Sequence, residues 1–245
     1  RMQILRSLIF LAGQVGSAVL FTPVALACLA LPSLPRARVI AGWARFNIWT
    51  LRRVCGITCE VSGVENLPQR PAVIISNHQS AWETLFFQLV FPPQSYILKV
   101  QLLWIPVFGW GLAANRPVAI NRARKVRALE QLLTRGAARL AEGRWLVIFP
   151  EGTRRRPGAP GRFQAGGALV AAKTGAPIVP VAHNAGLFWP KQAFLKKPGV
   201  IRMRIGRPIP TDGTGDGDGE SQNARELNAR VEKWIHDALR ELPPA

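Results

Sequence analysis

Apolar positions are distributed along the chain in three patterns, each predicting a different element. The first is continuous. No residue from Ser7 to Pro35 is charged, and arginines flank the run at Arg1 and Arg6 and again at Arg36 and Arg38. As a helix, Leu8 to Leu31 would reach about 36 Å, enough to cross a hydrocarbon core of about 30 Å. Pro23 interrupts the middle, and Leu31-Pro32-Ser33-Leu34-Pro35 signals a turn into a second helical stretch carrying Trp43, Phe46, Trp49 and several arginines. A cleaved signal peptide needs a shorter apolar region than this one, whereas a single span and a helical hairpin dipping into one leaflet both fit such a run. The hairpin, with Trp and Arg at headgroup depth, accounts for the turn and the second stretch as well.

The second pattern is a series of short apolar runs read as strands: 57–61, 72–76, 96–99, 118–121, 145–149, 178–182 and 200–205. The third is helical periodicity over 81–90, 123–142, 164–174 and 223–242. In 123–142 it runs through Val126, Leu129, Leu133, Ala137 and Leu140, and in the last helix through Leu227, Val231, Ile235 and Leu239. An apolar segment, 102–112, is broken by Pro106, Gly109 and Gly111. Strands alternating with helices predict an α/β fold, a mostly parallel sheet covered by helices, whose ligands sit beyond the strands' carboxyl ends. Three regions follow: a membrane-associated helical segment at 1–55, an α/β domain at 56–210, and a Gly/Asp-rich linker with an amphipathic helix at 211–245.

Composition narrows the class. The 48% apolar content, with 22 Gly and 20 Pro, belongs to a globular chain of 245 residues. A net charge of +18 calls for an anionic partner: nucleic acid, an anionic lipid surface, a phosphorylated substrate or an acidic protein. Nucleic acid is disfavoured because Trp43, Trp49, Trp104 and Trp110 lie in apolar segments, not along a basic stripe. Cys28, Cys55 and Cys59 are odd in number and lack metal-ligand spacing, so they read as small buried hydrophobes in a reducing compartment.

Two polar clusters interrupt these apolar patterns at strand ends. In Ser76-Asn77-His78-Gln79-Ser80-Ala81-Trp82-Glu83, a titratable base precedes a carboxylate by five residues. Within a helix such residues would point about 140° apart, so contact requires His78 to precede the helix or open it. Near a helix N-terminus the dipole favours the neutral imidazole, and Glu83 could then orient one ring nitrogen while the other takes a proton. A capping histidine with an unrelated glutamate is the plain alternative. Glu151-Gly152-Thr153-Arg154 supplies an anion loop: a glycine for close backbone approach, a hydroxyl and a guanidinium. Glu151 does not bind phosphate, so it accepts from a substrate hydroxyl or holds a neighbouring arginine. Arg122 ends the strand at 118–121, and Val179-Pro180-Val181 reads as an edge strand or a ligand-facing irregularity.

In this order, the four segments resemble the lysophosphatidate (1-acylglycerol-3-phosphate) acyltransferases among the glycerolipid acyltransferases, over about residues 60–210. That family begins with a His-x4-Asp block, with which His78 to Glu83 aligns, and its second block ends in an arginine, here Arg122. Glu151-Gly152-Thr153-Arg154 matches the third block and Val179-Pro180-Val181 the fourth. The departure is Glu83, where the family has Asp. The resemblance implies transfer of a fatty acyl group from acyl-CoA or acyl carrier protein to the sn-2 hydroxyl of lysophosphatidate. His78 would act as general base and Glu83 would fix its ring. Arg122, Gly152, Thr153 and Arg154 would hold the phosphate, and Glu151 would orient the glycerol or an arginine. No cofactor or metal is implied beyond the acyl-thioester co-substrate, and the protein is expected at a membrane, on the cytoplasmic face of the inner membrane. Acylation of another lysolipid, such as lyso-ornithine lipid, is the alternative within the superfamily. A non-catalytic basic membrane-binding protein is the alternative outside it.

Overall fold

A computed structural model describes residues 1–106, 108–121, 125–211 and 218–242. Seven strands form one sheet in the order β1-β7-β6-β2-β5-β3-β4. Its central part, β6 (Ile178–His183), β2 (Val73–Ser76), β5 (Trp145–Ile148), β3 (Gln94–Lys99) and β4 (Val118–Ile120), is entirely parallel. β7 (Gly199–Ile205) runs antiparallel to β6 and carries β1 (Ile57–Ser62) parallel to itself at the edge. The carboxyl ends of β2, β5 and β6 therefore meet at one rim, the place where an open α/β sheet binds ligands.

Side chains leave the central strands with a period of two and fill two layers. Val73, Ile75, Leu146, Ile148, Ile178 and Ala182 pack under α5 (Lys125–Ala141), α6 (Gly166–Thr174) and α7 (Asp218–Glu241). Ile74, Val147, Val179 and Val181 pack on the other face with α2 (Ser33–Cys55) and α3 (Trp82–Val90). In α7 the expected stripe is the buried one, through Leu227, Val231 and Ile235. In α5 it is so only in part: Leu133 and Leu140 pack against the core, but Val126 and Leu129 are exposed, and the buried face centres on Ala128, Leu132 and Gly136. Size explains the rotation. A Cβ on Gly136 would lie 3.1 Å from Leu146 and 3.4 Å from Val170, so the small residues face inward and let the helix settle on β5 and α6.

β6 is an interior strand, not an edge, although it contains Pro180. Its neighbour absorbs the missing N–H. Val181 pairs with Ile205, but the next bridge joins Ile178 to Ile209, one residue out of step, so β7 bulges opposite Pro180.

The apolar leader forms a hairpin of α1 (Met2–Ala27) packed against α2. α1 runs through Pro23, and the chain turns at Cys28–Leu31 instead. One side of α1 docks on the body. Ser7 Oγ accepts the Lys196 N–H at 3.0 Å, and Phe10 packs edge-on against Trp189 at 5.4 Å. The Lys196 ammonium lies 5.1–5.5 Å from the Phe10, Trp189 and Phe194 rings, and burial pushes its pKa down. The other side exposes Leu5, Leu8, Ile9, Val15, Val19 and Leu20. The segment at 102–112 forms a 3₁₀ turn and α4 (Phe108–Ala114), and it too exposes Leu102, Trp104, Ile105 and Trp110. Of the expected linker, 212–217 lie outside the described residues and Asp218 already opens α7.

Candidate active site

His78 sits in the loop that carries β2 into α3, four residues ahead of the helix. Glu83 lies in that helix's first turn and is fully buried. Its Oε1 accepts from His78 Nδ1, from the Gln79 N–H and from the Ser80 N–H, each at 2.8 Å. The spacing condition for contact is thus met, with His78 ahead of the helix and the glutamate reaching back. It is the carboxylate, not the imidazole, that occupies the positive end of α3. Burial alone would raise the Glu83 pKa, but His183, His78 and the Ser80 N–H together hold it below the ordinary carboxylate range. An ionised carboxylate only accepts, so the Nδ1 of a neutral His78 carries the proton and its Nε2 presents a lone pair. That nitrogen makes no hydrogen bond among the described residues, and the side chain keeps 15% of its surface exposed. The ring plane is set by stacking on Phe149 at 4.1 Å, and Phe149 is in turn stacked with Tyr96 and Phe87.

Three further strands and loops hold the His78 backbone. Glu151, just beyond β5, is buried; its Oε1 accepts the His78 N–H at 2.9 Å and its Oε2 the Gly161 N–H at 2.9 Å. Burial raises its pKa despite these bonds. The Arg155 N–H donates to the His78 carbonyl at 2.7 Å. Glu151 therefore holds the histidine's own peptide, and the arginine beside it is Arg155, at 3.9 Å, not Arg154. From β6, His183 closes a reciprocal clasp on Asn77. Asn77 Nδ2 donates to the His183 carbonyl at 2.9 Å, the His183 N–H to Asn77 Oδ1 at 3.1 Å, and His183 Nε2 to the Asn77 carbonyl at 3.0 Å. Burial lowers the His183 pKa, and its Nδ1 accepts the Ala185 N–H at 3.3 Å, so Nε2 is the donor to Asn77 and the ring is a strut between β6 and the His78 loop. Gln79 Oε1 accepts the Gly186 N–H at 3.2 Å.

Because Glu151 and Arg155 both bond to the His78 backbone, the intervening Gly152-Thr153-Arg154 arches next to that peptide. Gly152 is left-handed (φ 70°), and its N–H closes the turn onto the Phe149 carbonyl at 3.0 Å, so this N–H serves the turn and not a ligand. Thr153 is exposed, and Arg154, half-buried, has no hydrogen bond or ion pair among the described residues. Arg122 lies outside the described residues; Asn121 directly follows β4 at the same rim.

The rim thus joins a proton acceptor, held in one tautomer by a buried carboxylate, to an unneutralised cationic arch. That arrangement suits deprotonation of a hydroxyl on an anionic substrate. Asn77, Gln79, Phe149 and His183 were not singled out in the sequence. The signal available was that β6 ends on the polar pair His183-Asn184 after an apolar run.

Comparison with known proteins gives the same direction. A family model described as Acyltransferase matches residues 58–184. The chain is 45% identical, over 87% of its length and 82% of the relative's, to a 1-acyl-sn-glycerol-3-phosphate acyltransferase of Pseudomonas aeruginosa. It is 33% identical over 68% of its length to a chloroplastic 1-acyl-sn-glycerol-3-phosphate acyltransferase of Brassica napus, of which it spans 48%. The crystal structure of the 1-acyl-sn-glycerophosphate acyltransferase of Thermotoga maritima superposes with a TM-score of 0.78 over 98% of this chain and 95% of that one; at 24% identity this likeness shows the fold. With a family model spanning more than half of its length and a relative of 45% identity along most of it, the chain belongs to the acyltransferase family, together with the 1-acyl-sn-glycerol-3-phosphate acyltransferases.

Proposed function

We propose that this enzyme transfers a fatty acyl group from an acyl thioester, carried on coenzyme A or acyl carrier protein, to the sn-2 hydroxyl of lysophosphatidate, giving phosphatidate. One observation carries the reading: His78 Nδ1 is 2.8 Å from Glu83 Oε1 while Nε2 makes no hydrogen bond among the described residues, and the His78 peptide is tied to the two ends of the Gly152–Arg154 arch. Nε2 takes the hydroxyl proton as the oxygen attacks the thioester carbonyl, and Glu83 stabilises the imidazolium that forms. The tetrahedral intermediate then expels the thiolate, which recovers the proton from Nε2. Atoms balance without an acyl-enzyme. Burial pushes the Cys59 thiol up to about 12 and raises that of Cys55, which keeps both protonated and poor nucleophiles. Thr153, Arg154 and Arg122 hold the acceptor's phosphate. Glu151 acts through the His78 backbone and not on substrate.

The exposed sides of α1 and of α4 with its preceding turn extend this reading to the lipid. α1 is long and apolar enough to cross a membrane, yet Ser7 and Phe10 bind it to the body, which favours a hairpin lying in one leaflet over a span. The arginines flanking the leader favour the cytoplasmic face.

The test is acyl transfer by purified protein in mixed micelles containing lysophosphatidate, lysophosphatidylcholine or lyso-ornithine lipid, with each donor. Turnover restricted to lysophosphatidate and abolished in His78→Ala supports the reading. Turnover of lyso-ornithine lipid alone replaces it with the other acceptor, and transfer undiminished in His78→Ala removes the base.

A further inference from the structure

The loop between β6 and β7 places a second cation on the arch. Lys191 Nζ lies 3.3 Å from Thr153 Oγ1, a contact between residues 38 apart in sequence. That is the lysine's one polar contact among the described residues, so two of its three N–H donors remain free. Its backbone is fixed. The turn Pro190 to Ala193 is closed by the Ala193 N–H on the Pro190 carbonyl at 3.2 Å, with Gln192 left-handed (φ 58°). Next to this turn, Trp189 is buried against Phe10 and bonds through its N–H to the Ala185 carbonyl at 2.9 Å. Lys191 is exposed, and it follows by two residues the buried Trp189 that ties this loop to the body.

The charge balance at the arch decides what it fits. Lys191 touches the Thr153 hydroxyl and Arg154 is the next residue along the arch; neither has a carboxylate partner among the described residues. The two glutamates of the site are turned away: Glu83 is spent on Gln79, Ser80 and the His78 ring, and Glu151 on His78 and Gly161. Two cations without a carboxylate partner, one at the Thr153 hydroxyl and one on the next residue, suit a ligand with close to two negative charges and several acceptor oxygens. A phosphate monoester, with a second ionisation near pH 6, carries about −1.5 to −2 at neutral pH, whereas a phosphodiester carries one charge. In lysophosphatidate four bonds separate the sn-2 oxygen from phosphorus, a reach of about 5 Å.

We infer that Lys191 completes, with Thr153 and Arg154, a phosphate-monoester clamp that selects dianionic acceptors over phosphodiester and zwitterionic lysolipids. This rests on the acyl-transfer reading above for the identity of the acceptor, and it adds a specificity residue from a different loop.

Lys191→Gln, Lys191→Arg and, as a charge-matched control on exposed α7, Lys233→Gln are compared with wild type. KM and kcat for lysophosphatidate and lysophosphatidylglycerol are measured at saturating donor. Equilibrium binding of both lipids to the donor-free protein is measured alongside. Lys191→Gln is expected to raise KM and Kd for lysophosphatidate about tenfold while kcat stays within about threefold, with little change for the diester. Lys191→Arg is expected to recover most of the loss and Lys233→Gln to lose nothing. In wild type KM should rise as pH falls through about 6, where the monoester loses a charge, and this rise should flatten in Lys191→Gln. An unchanged Kd for lysophosphatidate, or an equal loss for both lipids, overturns the inference. Wild-type protein that binds lysophosphatidate without acylating it defeats the acyl-transfer reading alone, and the clamp then stands or falls on whether Lys191→Gln weakens that binding.

Discussion

Glu83→Gln tests the centre of the site because it removes a charge while keeping the shape. In the wild type one oxygen, Oε1, receives three donors at 2.8 Å, and the other, Oε2, is buried without a hydrogen-bond partner. Hydrogen bonds to an ionised group contribute about 1.5–3 kcal/mol each against about 0.5–1.5 for neutral pairs, so neutralising the acceptor weakens three bonds by about 1 kcal/mol each. Relief from burying a charge offsets part of this, leaving a net destabilisation of about 2 kcal/mol. Catalysis suffers more, since only the contact with His78 strengthens as the imidazolium forms. Opposite charges about 4 Å apart attract by about 4 kcal/mol at an effective dielectric near 20, and the amide dipole retains a fraction of that. A loss of about 3 kcal/mol corresponds to a kcat lower by about two orders of magnitude.

The assay is acyl transfer at saturating lysophosphatidate and donor, with thermal unfolding of the same preparations. Glu83→Asp supplies the complementary case: charge kept, reach shortened by about 1.3 Å. It is expected to lose about tenfold in kcat, less than Glu83→Gln. The pH dependence fixes the sign. Glu83 titrates below its ordinary value of 4.5 in the folded protein, so it contributes stability above its unfolded pKa, and that contribution is lost as pH falls through the folded one. The stability gap between wild type and Glu83→Gln should therefore hold at neutral pH and narrow as pH falls below about 4.5. A Glu83→Gln enzyme within about threefold of wild type, or more active than Glu83→Asp, would refute the orienting role.

Glu151→Gln should lower kcat and leave KM for lysophosphatidate little changed, because its amide NH2 must face the N–H of either His78 or Gly161; the unsatisfied donor costs about 1–3 kcal/mol in unfolding experiments. A raised KM with normal kcat would return Glu151 to the substrate. Arg144→Met should destabilise by about 3–5 kcal/mol and impair folding more than turnover per folded molecule, as judged by calorimetry and active-site titration. That guanidinium is fully buried, with a pKa lowered by burial to about 10, and it joins Ser95, Gln94, Asn115 and Ser33, tying the start of α2 to β3. Trp104→Ser removes a side chain that is 72% exposed, so unfolding should be unaffected while vesicle flotation weakens about tenfold, as expected if that ring inserts in lipid. Equal flotation would take the turn before α4 out of the membrane contact.

The sequence made legible what depends on local pattern. Strand and helix order, the rim at the ends of β2 and β5, and the need for His78 to precede its helix all follow from periodicity and from the 100° step of a helix. What stayed hidden depends on neighbours distant in the chain. The buried face of α5 is decided by Leu146 and Val170 pressing on Gly136, and a hydrophobicity stripe assigns no inward place to a glycine. Pro180 reads as an edge because the sequence does not show that β7 bulges opposite it.

The same limit applied to charge. Glu151 looks like a ligand for substrate until the His78 and Gly161 N–H groups are seen to occupy both of its oxygens. Lys191 looks like a surface lysine until the β6–β7 turn brings it to Thr153. In each case the residue type announces a charge, and only the contact decides whether that charge is spent inside the fold or left for a ligand. The site follows one rule in this respect. Glu83 and Glu151 are consumed by backbone N–H groups, the His78 ring and Arg155, while Arg154 and Lys191 are left without a carboxylate partner among the described residues. In the proposed reaction such a rim draws an anionic acceptor without neutralising itself, while Glu83, bonded to His78 Nδ1, is kept out of solvent to stabilise the imidazolium.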